Sequence, residues 1–495
     1  MRFLSTRGET FAKNSAEAIS LGLSSDGGLF VPENFPNVYS DLPSLINATY
    51  AERASFIISR FLEEYDKEEL LKACKSAYSK FEENDPSPLV KVDDGLYIME
   101  LFHGPTLAFK DVALTLLPYL LTKGSKIIGA KEEILILVAT SGDTGKAALE
   151  GFKDQEGVKI IVFYPSDGVS DMQKLQMSTQ EGKNVNVVAV RGNFDDCQTA
   201  VKNIFSSKEF NQELKDKLVV LSSANSINFG RLVPQVVYYF SAYLDLVSSQ
   251  EIEMGEKIDF VVPTGNFGNI LAGYYAKKMG LPVGKLVCAS NSNNVLTEFF
   301  ANGNYNANRE FYKTTSPSMD ILISSNLERL IFEISGRNSD LTQDRMNSLK
   351  KTGRYEISPV ELSILEKEFF ADFCDEEECK DTIRHFFDEY GYVLDPHTAV
   401  AVNIHGKYVD YSESANKAVV LSTASPYKFP TSVYNAICGK TVKDAFKCSS
   451  MLYNETGAPI PEQIVDLKSK SVRFNKVIDK EQAKEEVKAF AERVK

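Results

Sequence analysis

From residue 96 onward, short runs of near-continuous apolar residues alternate with segments of helical period. The runs are LYIMEL (96–101), EILILVAT (133–140), VKIIVFY (158–164), VNVVAV (185–190) and LVVLSS (218–223), followed by IDFVVPT (258–264), KLVCAS (285–290) and AVVLST (418–423). Runs of this length without polar alternation read as strands buried on both faces, and the intervening helices make the sheets parallel. The fold class predicted is α/β with mostly parallel sheets. In open sheets of this kind, ligands bind beyond the carboxyl ends of the strands. The loops after these runs are therefore where chemistry is to be sought.

Before residue 96 the pattern differs. Asp26–Gly27–Gly28–Leu29–Phe30–Val31–Pro32 reads as a turn feeding an extended segment. Leu42 to Phe81 turns helical and strongly charged, and Glu83 to Leu89 (ENDPSPL) reads as its exit linker. The resulting division is 1–95, a mainly helical N-terminal region; 96–235, an α/β unit; and 236–495, a second α/β unit. The segment between about 300 and 400 is less regular, acidic and helical toward His385. The closing EQAKEEVKAFAERVK reads as a surface amphipathic helix.

One lysine stands out within MELFHGPTLAFKDVALTLLPYLL (99–121). Lys110 follows a Gly104–Pro105 turn and the apolar Leu107–Ala108–Phe109. Val112, Ala113, Leu116, Leu117 and Leu120 then recur at helical spacing, which puts Lys110 at a helix start. The positive end of the helix dipole favours Asp111 there as a carboxylate. That field and the apolar neighbours disfavour an ammonium, leaving a neutral amine suited to Schiff-base formation with a carbonyl. A solvated lysine at a helix terminus is the competing reading of the passage alone.

Composition narrows the partners. The chain has 495 residues and a net charge of −13, which disfavours nucleic acid and anionic membrane surfaces. No apolar run reaches the length of a signal peptide or a membrane span, which reads as cytoplasmic. Seven scattered cysteines read as reduced thiols. With only four histidines, no metal site is expected; His397 and His405 read as ordinary structural or solvent-facing residues. The sequence does not decide between monomer and homo-oligomer.

Three strand–turn–helix passages could bind anions. In the first, Thr140–Ser141–Gly142–Asp143–Thr144–Gly145 precedes a helix whose N-terminus offers backbone donors. It is not a nucleotide P-loop: Thr140 stands where that motif needs glycine, and Ala147 replaces its Ser or Thr. In the second, Pro263–Thr264–Gly265–Asn266–Phe267–Gly268–Asn269 lacks the GxGxxG spacing of a dinucleotide site. In the third, Asn225, Ser226, Asn228 and Arg231 lie together before another helix, with Arg231 able to grip a phosphate or carboxylate. Each alone also reads as a plain turn with a helix cap. Together with Lys110 they fit a phosphorylated aldehyde cofactor, pyridoxal 5′-phosphate, with the substrate's acidic groups in the remaining cups.

HGPTLAFKD, TSGDTG, PTGNFGN, SPSMDI with SSNLERL, and LSTASPYKF, in this order and after an early DGGLFVP, resemble the threonine synthase family in its long fungal and bacterial form. The resemblance covers nearly the whole chain. It implies the fold type II of pyridoxal-phosphate enzymes, like the tryptophan synthase β subunit: two α/β domains with the cofactor between them. It implies conversion of O-phospho-L-homoserine and water to L-threonine and phosphate, the closing step of threonine biosynthesis. Lys110 would be the Schiff-base lysine; Gly265, Asn266, Phe267, Gly268 and Asn269 the loop for the cofactor phosphate; Thr423 the partner of the pyridine nitrogen; and Asp143 a neighbour of the ring hydroxyl. Thr140, Ser141, Gly142 and Thr144 would seat the substrate carboxylate, and Asn225, Ser226, Asn228 and Arg231 its phosphate. One departure is Ser425, where many members carry histidine. The alternatives are a related phospholyase that ends at a keto acid, a non-catalytic phosphate-ligand binding protein and, more remotely, a nucleotide-dependent kinase.

Overall fold

The computed structural model describes residues 1–140, 142–166, 169–412 and 414–493. Two largely parallel sheets organise it. The larger has six strands in the order Phe369–Phe373, Val283–Ser290, Ile258–Pro263, Ala418–Ser422, Leu96–Glu100 and Leu89–Asp93; only the last pairing is antiparallel. The smaller has five, all parallel: Val477–Ile478, Val185–Val190, Val158–Pro165, Glu133–Ala139 and Val219–Ser222. Every residue of Val158–Pro165, Val185–Val190 and Ile258–Pro263 is buried. This is the two-sided covering that their unbroken apolar runs predicted.

The boundaries at 95 and 235 do not follow the sheets. Leu96–Glu100 pairs with Ala418–Ser422 in the larger sheet, so it does not join Glu133–Ala139. Val477–Ile478 extends the smaller sheet beside Val185–Val190, and Ala483–Ala491 buries Val487 and Phe490 against the same unit. The segment 236–495 therefore contributes to both sheets. Strand order depends on pairing between distant segments, which local periodicity does not encode.

The N-terminal region adds a three-stranded antiparallel sheet (Phe11–Ala12, Phe3–Ser5 and Phe30–Pro32) to its helices. The helix Tyr50–Ser59 starts at a capping box in which Thr49 and Glu52 satisfy each other's backbone N–H groups. From it the buried Arg53 donates to Leu45 O at 3.1 Å, Ile46 O at 2.7 Å and Asp245 Oδ1 at 2.6 Å. That ties the region to the long helix Phe229–Ser248. This helix also packs against Lys110–Leu114 and Gly268–Lys278, so it touches the elements that carry the lysine and the second glycine loop. Among the described residues no helix is long and apolar enough to cross a membrane.

Candidate active site

The loop before Lys110 is shaped by the strand end beside it. Phe109 N donates to Thr423 O at 2.9 Å, Ser425 N donates to Leu107 O at 3.1 Å, and Ala108 bridges Ala424. Leu107 takes a left-handed φ of 61° to make the bend. Thr106 then donates to the Asp111 carboxylate from its backbone N–H at 2.7 Å and its hydroxyl at 2.6 Å. Lys110 thus begins the helix Lys110–Leu114 with its backbone pinned from both sides, and Thr423 is held next to it.

The amine is buried and faces Ser318 Oγ at 3.3 Å, with Asp143 Oδ2 at 3.7 Å. Burial pushes it down to about 8; Lys428 and Arg231 push the same way, and Asp143 opposes them. Asp143 opens the helix Asp143–Phe152 and is saturated with donors. Lys428 Nζ lies 2.9 Å and Gln173 Nε2 3.1 Å from its Oδ1, and Ser318 Oγ donates to Oδ2 at 3.2 Å. Burial alone would raise this carboxyl, but the Lys428 and Lys110 ammoniums hold it well below the usual carboxylate range.

Ser318 joins the lysine to the second glycine loop. Its hydroxyl meets Lys110, and its carbonyl oxygen lies 2.6 Å from where a Cβ on Gly265 would stand. Lys110 and the Gly265–Asn269 loop therefore share one cleft. The loop turns at Phe267 with a left-handed φ of 63° and runs into the helix Gly268–Lys278. Ser324 Oγ donates to Gly265 O at 2.8 Å and Asn326 N to Asn266 O at 3.1 Å, fixing the loop from behind. Asn269 Oδ1 is held by the hydroxyls of Tyr238 at 2.5 Å and Tyr239 at 3.0 Å, while its buried Nδ2 has no partner among the described residues. An unpaired buried donor in the first turn of a helix, beside a glycine cup, fits a phosphate. Adding a methyl at Gly265 should displace the Ser318 backbone. We expect Gly265→Ala to weaken pyridoxal-phosphate binding about tenfold or more, read by fluorescence titration; unchanged affinity would disconnect this loop from the cofactor.

The remaining candidates divide. Thr140 Oγ1 accepts from the N–H groups of Gly142 and Gly145, both at 3.0 Å, and so sets the shape of its loop. Gly142 sits at φ 150°, and a Cβ there would meet Gln173 Nε2 at 2.4 Å. Thr144 lies in the first turn of the helix; Ser141 falls outside the described residues. Arg231 is buried, donates to Ala224 O at 2.6 Å, and has no carboxylate partner among the described residues. Burial holds its pKa down at about 10. Asn225 is exposed, and Ser226 Cβ is 3.4 Å from where a Cβ on Gly268 would stand, so Ser226 neighbours the second glycine loop. Asn228 also has a structural role. Its Oδ1 caps Phe229–Ser248 through Gly230 N at 2.8 Å and its Nδ2 donates to Ile19 O at 2.9 Å. These bonds use the amide oxygen and one of the two Nδ2 hydrogens.

Several participants escaped the sequence reading. Ser318 and Lys428 lay in noted motifs but carried no role. His397 is buried, not solvent-facing: its Nδ1 meets Asp395 at 2.7 Å and its Nε2 accepts the Ser318 N–H at 3.2 Å. Ser425, at the position where many relatives carry histidine, uses its hydroxyl to accept the N–H of Tyr427 at 3.3 Å and cap a short turn.

Models of three families match the chain: pyridoxal-phosphate dependent enzyme over residues 81–425, threonine synthase N terminus over 2–78, and threonine synthase C-terminal over 398–490. Threonine synthase of Pseudomonas aeruginosa is 38% identical, with 89% of this chain and 91% of that protein covered. The chain belongs to the threonine synthase family. Threonine synthase-like 1 of Homo sapiens is 41% identical over 89% of this chain, and the chain spans 60% of its length. The pyridoxal-phosphate-bound threonine synthase structure from Brucella melitensis superposes with a TM-score of 0.88 at 37% identity, covering both chains fully. The architecture is accordingly fold type II of the pyridoxal-phosphate enzymes. The residues around Lys110 and Gly265–Asn269 fit the cofactor of this family, pyridoxal 5′-phosphate: an amine with a lowered pKa and a glycine loop at a helix start lie on either side of Ser318.

Proposed function

We propose that the protein converts O-phospho-L-homoserine and water into L-threonine and phosphate. The observation that carries this reading is Arg231. It is a buried guanidinium with no carboxylate partner among the described residues, and its charge is felt at Lys110. A buried cation without a carboxylate partner among the described residues calls for an anionic ligand, and the substrate carries both a phosphate and a carboxylate.

In this reading Gly265, Asn266, Phe267, Gly268 and Asn269 hold the cofactor phosphate, Thr423 meets the pyridine nitrogen, and Lys110 takes the aldehyde. Bound there, the cofactor supplies an electron sink for carbanion chemistry on the amino acid. Asp143 orients the ring hydroxyl and stays ionised because Lys428 and Lys110 face it. Lys110 Nζ takes and returns protons on the substrate carbons, helped by having a pKa near the working range. Thr140, Gly142 and Thr144, with Ser141, present the loop that seats the substrate carboxylate. Arg231 anchors the substrate phosphate, with Asn225 and Ser226 at the rim. All seven cysteines are free and six are buried, which suits a reducing compartment such as the cytoplasm.

The test is a product assay with O-phospho-L-homoserine and the pyridoxal-phosphate-loaded protein. Threonine and phosphate in equal amounts are expected. Keto acid and ammonia without threonine would instead make the protein a phospholyase of the same family.

A further inference from the structure

Two buried lysines share one carboxylate unequally. Lys428 Nζ sits 2.9 Å from Asp143 Oδ1 and donates to Thr106 O at 2.8 Å. Lys110 Nζ stands 3.7 Å from the other carboxylate oxygen, beyond hydrogen-bond length, donates to the Ser318 hydroxyl at 3.3 Å and lies over the Phe109 ring at 4.8 Å. Both lysines and Asp143 are buried, so their charges act on one another in a poorly screened setting.

Every charged element around the pair is identifiable. Asp111 lies on the helix of Lys110, and its carboxylate is taken up by Thr106. Asp143 comes from the helix Asp143–Phe152, Arg231 from Phe229–Ser248 and Lys428 from the turn Pro426–Lys428. His397, on Pro396–Ser412, faces Asp143. Its Nε2 meets the Ser318 N–H and its Nδ1 meets Asp395.

Two ammoniums and one carboxylate carry a net positive charge, and losing one proton relieves it. Lys428 Nζ is held by two acceptors, Asp143 Oδ1 and Thr106 O. Lys110, which faces a hydroxyl, is the one that can give its proton up. We propose that Lys428 is a positioning residue for the reaction. By occupying Asp143 it denies Lys110 an effective counter-ion and so keeps that amine able to deprotonate. With a neutral residue at position 428, the existing Lys110–Asp143 ion pair would tighten, and the amine would hold its proton more firmly. This deepens the proposed function, since it assigns how the cofactor-bearing lysine is prepared.

The experiment is competitive acetic anhydride labelling of the cofactor-free full-length chain across a pH series, with the Lys110 peptide quantified by mass spectrometry. Wild type should label with a midpoint of about 8. Lys428→Gln retains a donor for Thr106 and Asp143 without the charge, and Lys428→Met removes both. In each the midpoint should rise by about one unit or more, while Lys428→Arg should keep it low. In an Asp143→Asn background the Lys428→Gln shift should be much smaller. An unchanged or lower midpoint in the two neutral variants overturns the proposal. So does an equal rise without the Asp143 carboxylate, which would reduce Lys428 to simple repulsion. Labelling involves neither substrate nor turnover, so its outcome is independent of the product assay.

Discussion

Lys110→Ala is expected to abolish turnover and the visible absorption of lysine-bound cofactor. The substitution removes the group proposed to take the cofactor aldehyde and the group proposed to move protons on the substrate. The proton-transfer role alone is worth about 10²- to 10⁴-fold in rate, and losing the attachment multiplies it. Lys110→Arg should not rescue, because a guanidinium cannot shed its proton at working pH. Stability should hold or rise, since the buried amine sits in a setting that already disfavours its charge. Rate, absorption spectrum and thermal melting together check this. Retained turnover with an intact visible band would remove Lys110 from the chemistry altogether.

Arg329→Met should be the most destabilising substitution outside the site. Arg329 is fully buried. Its Nε donates to Phe30 O at 3.0 Å, Nη1 to Asn326 Oδ1 at 2.5 Å and Nη2 to Ile227 O at 2.6 Å. It fastens the DGGLFVP segment, the segment behind the phosphate cup and the loop before Phe229–Ser248 at a single point. Methionine fills similar volume but leaves three acceptors bare, each costing about 1–3 kcal/mol when buried unsatisfied. The expected loss is about 3–5 kcal/mol, measured by urea unfolding. Because Asn326 supports Asn266 O, cofactor affinity should fall with it. A loss under about 1 kcal/mol would mean that these three segments hold without the arginine.

The strands were legible in the sequence because burial on both faces leaves an unbroken apolar run. The run 185–190 coincides with Val185–Val190, and 258–264 overshoots Ile258–Pro263 by one residue. Phe369–Phe373 escaped because FFADF lies between charged helices, and Val477–Ile478 is too short for any period to show. Site motifs were legible as turns between strand and helix, where backbone donors and small residues collect. Their partnerships were not. Ser318 meets Lys110 across 208 residues of chain, and no local pattern announces such a contact. Asn228 shows a different limit: an asparagine before a helix serves as a cap or a ligand donor, and no local pattern reveals its bonds to Gly230 and Ile19.

The pairing of Val477–Ile478 with Val185–Val190 also sets a timetable for synthesis. The smaller sheet opens with Glu133–Ala139, yet one edge stays uncovered until residue 478 has left the ribosome. Until then Val185–Val190 exposes unpaired backbone groups on an apolar strand, a template for wrong partners. The larger sheet waits in the same way, because Ala418–Ser422 fills the gap between Ile258–Pro263 and Leu96–Glu100. The cleft between Lys110 and its glycine loop therefore assembles late, when nearly all of the chain is available to close it.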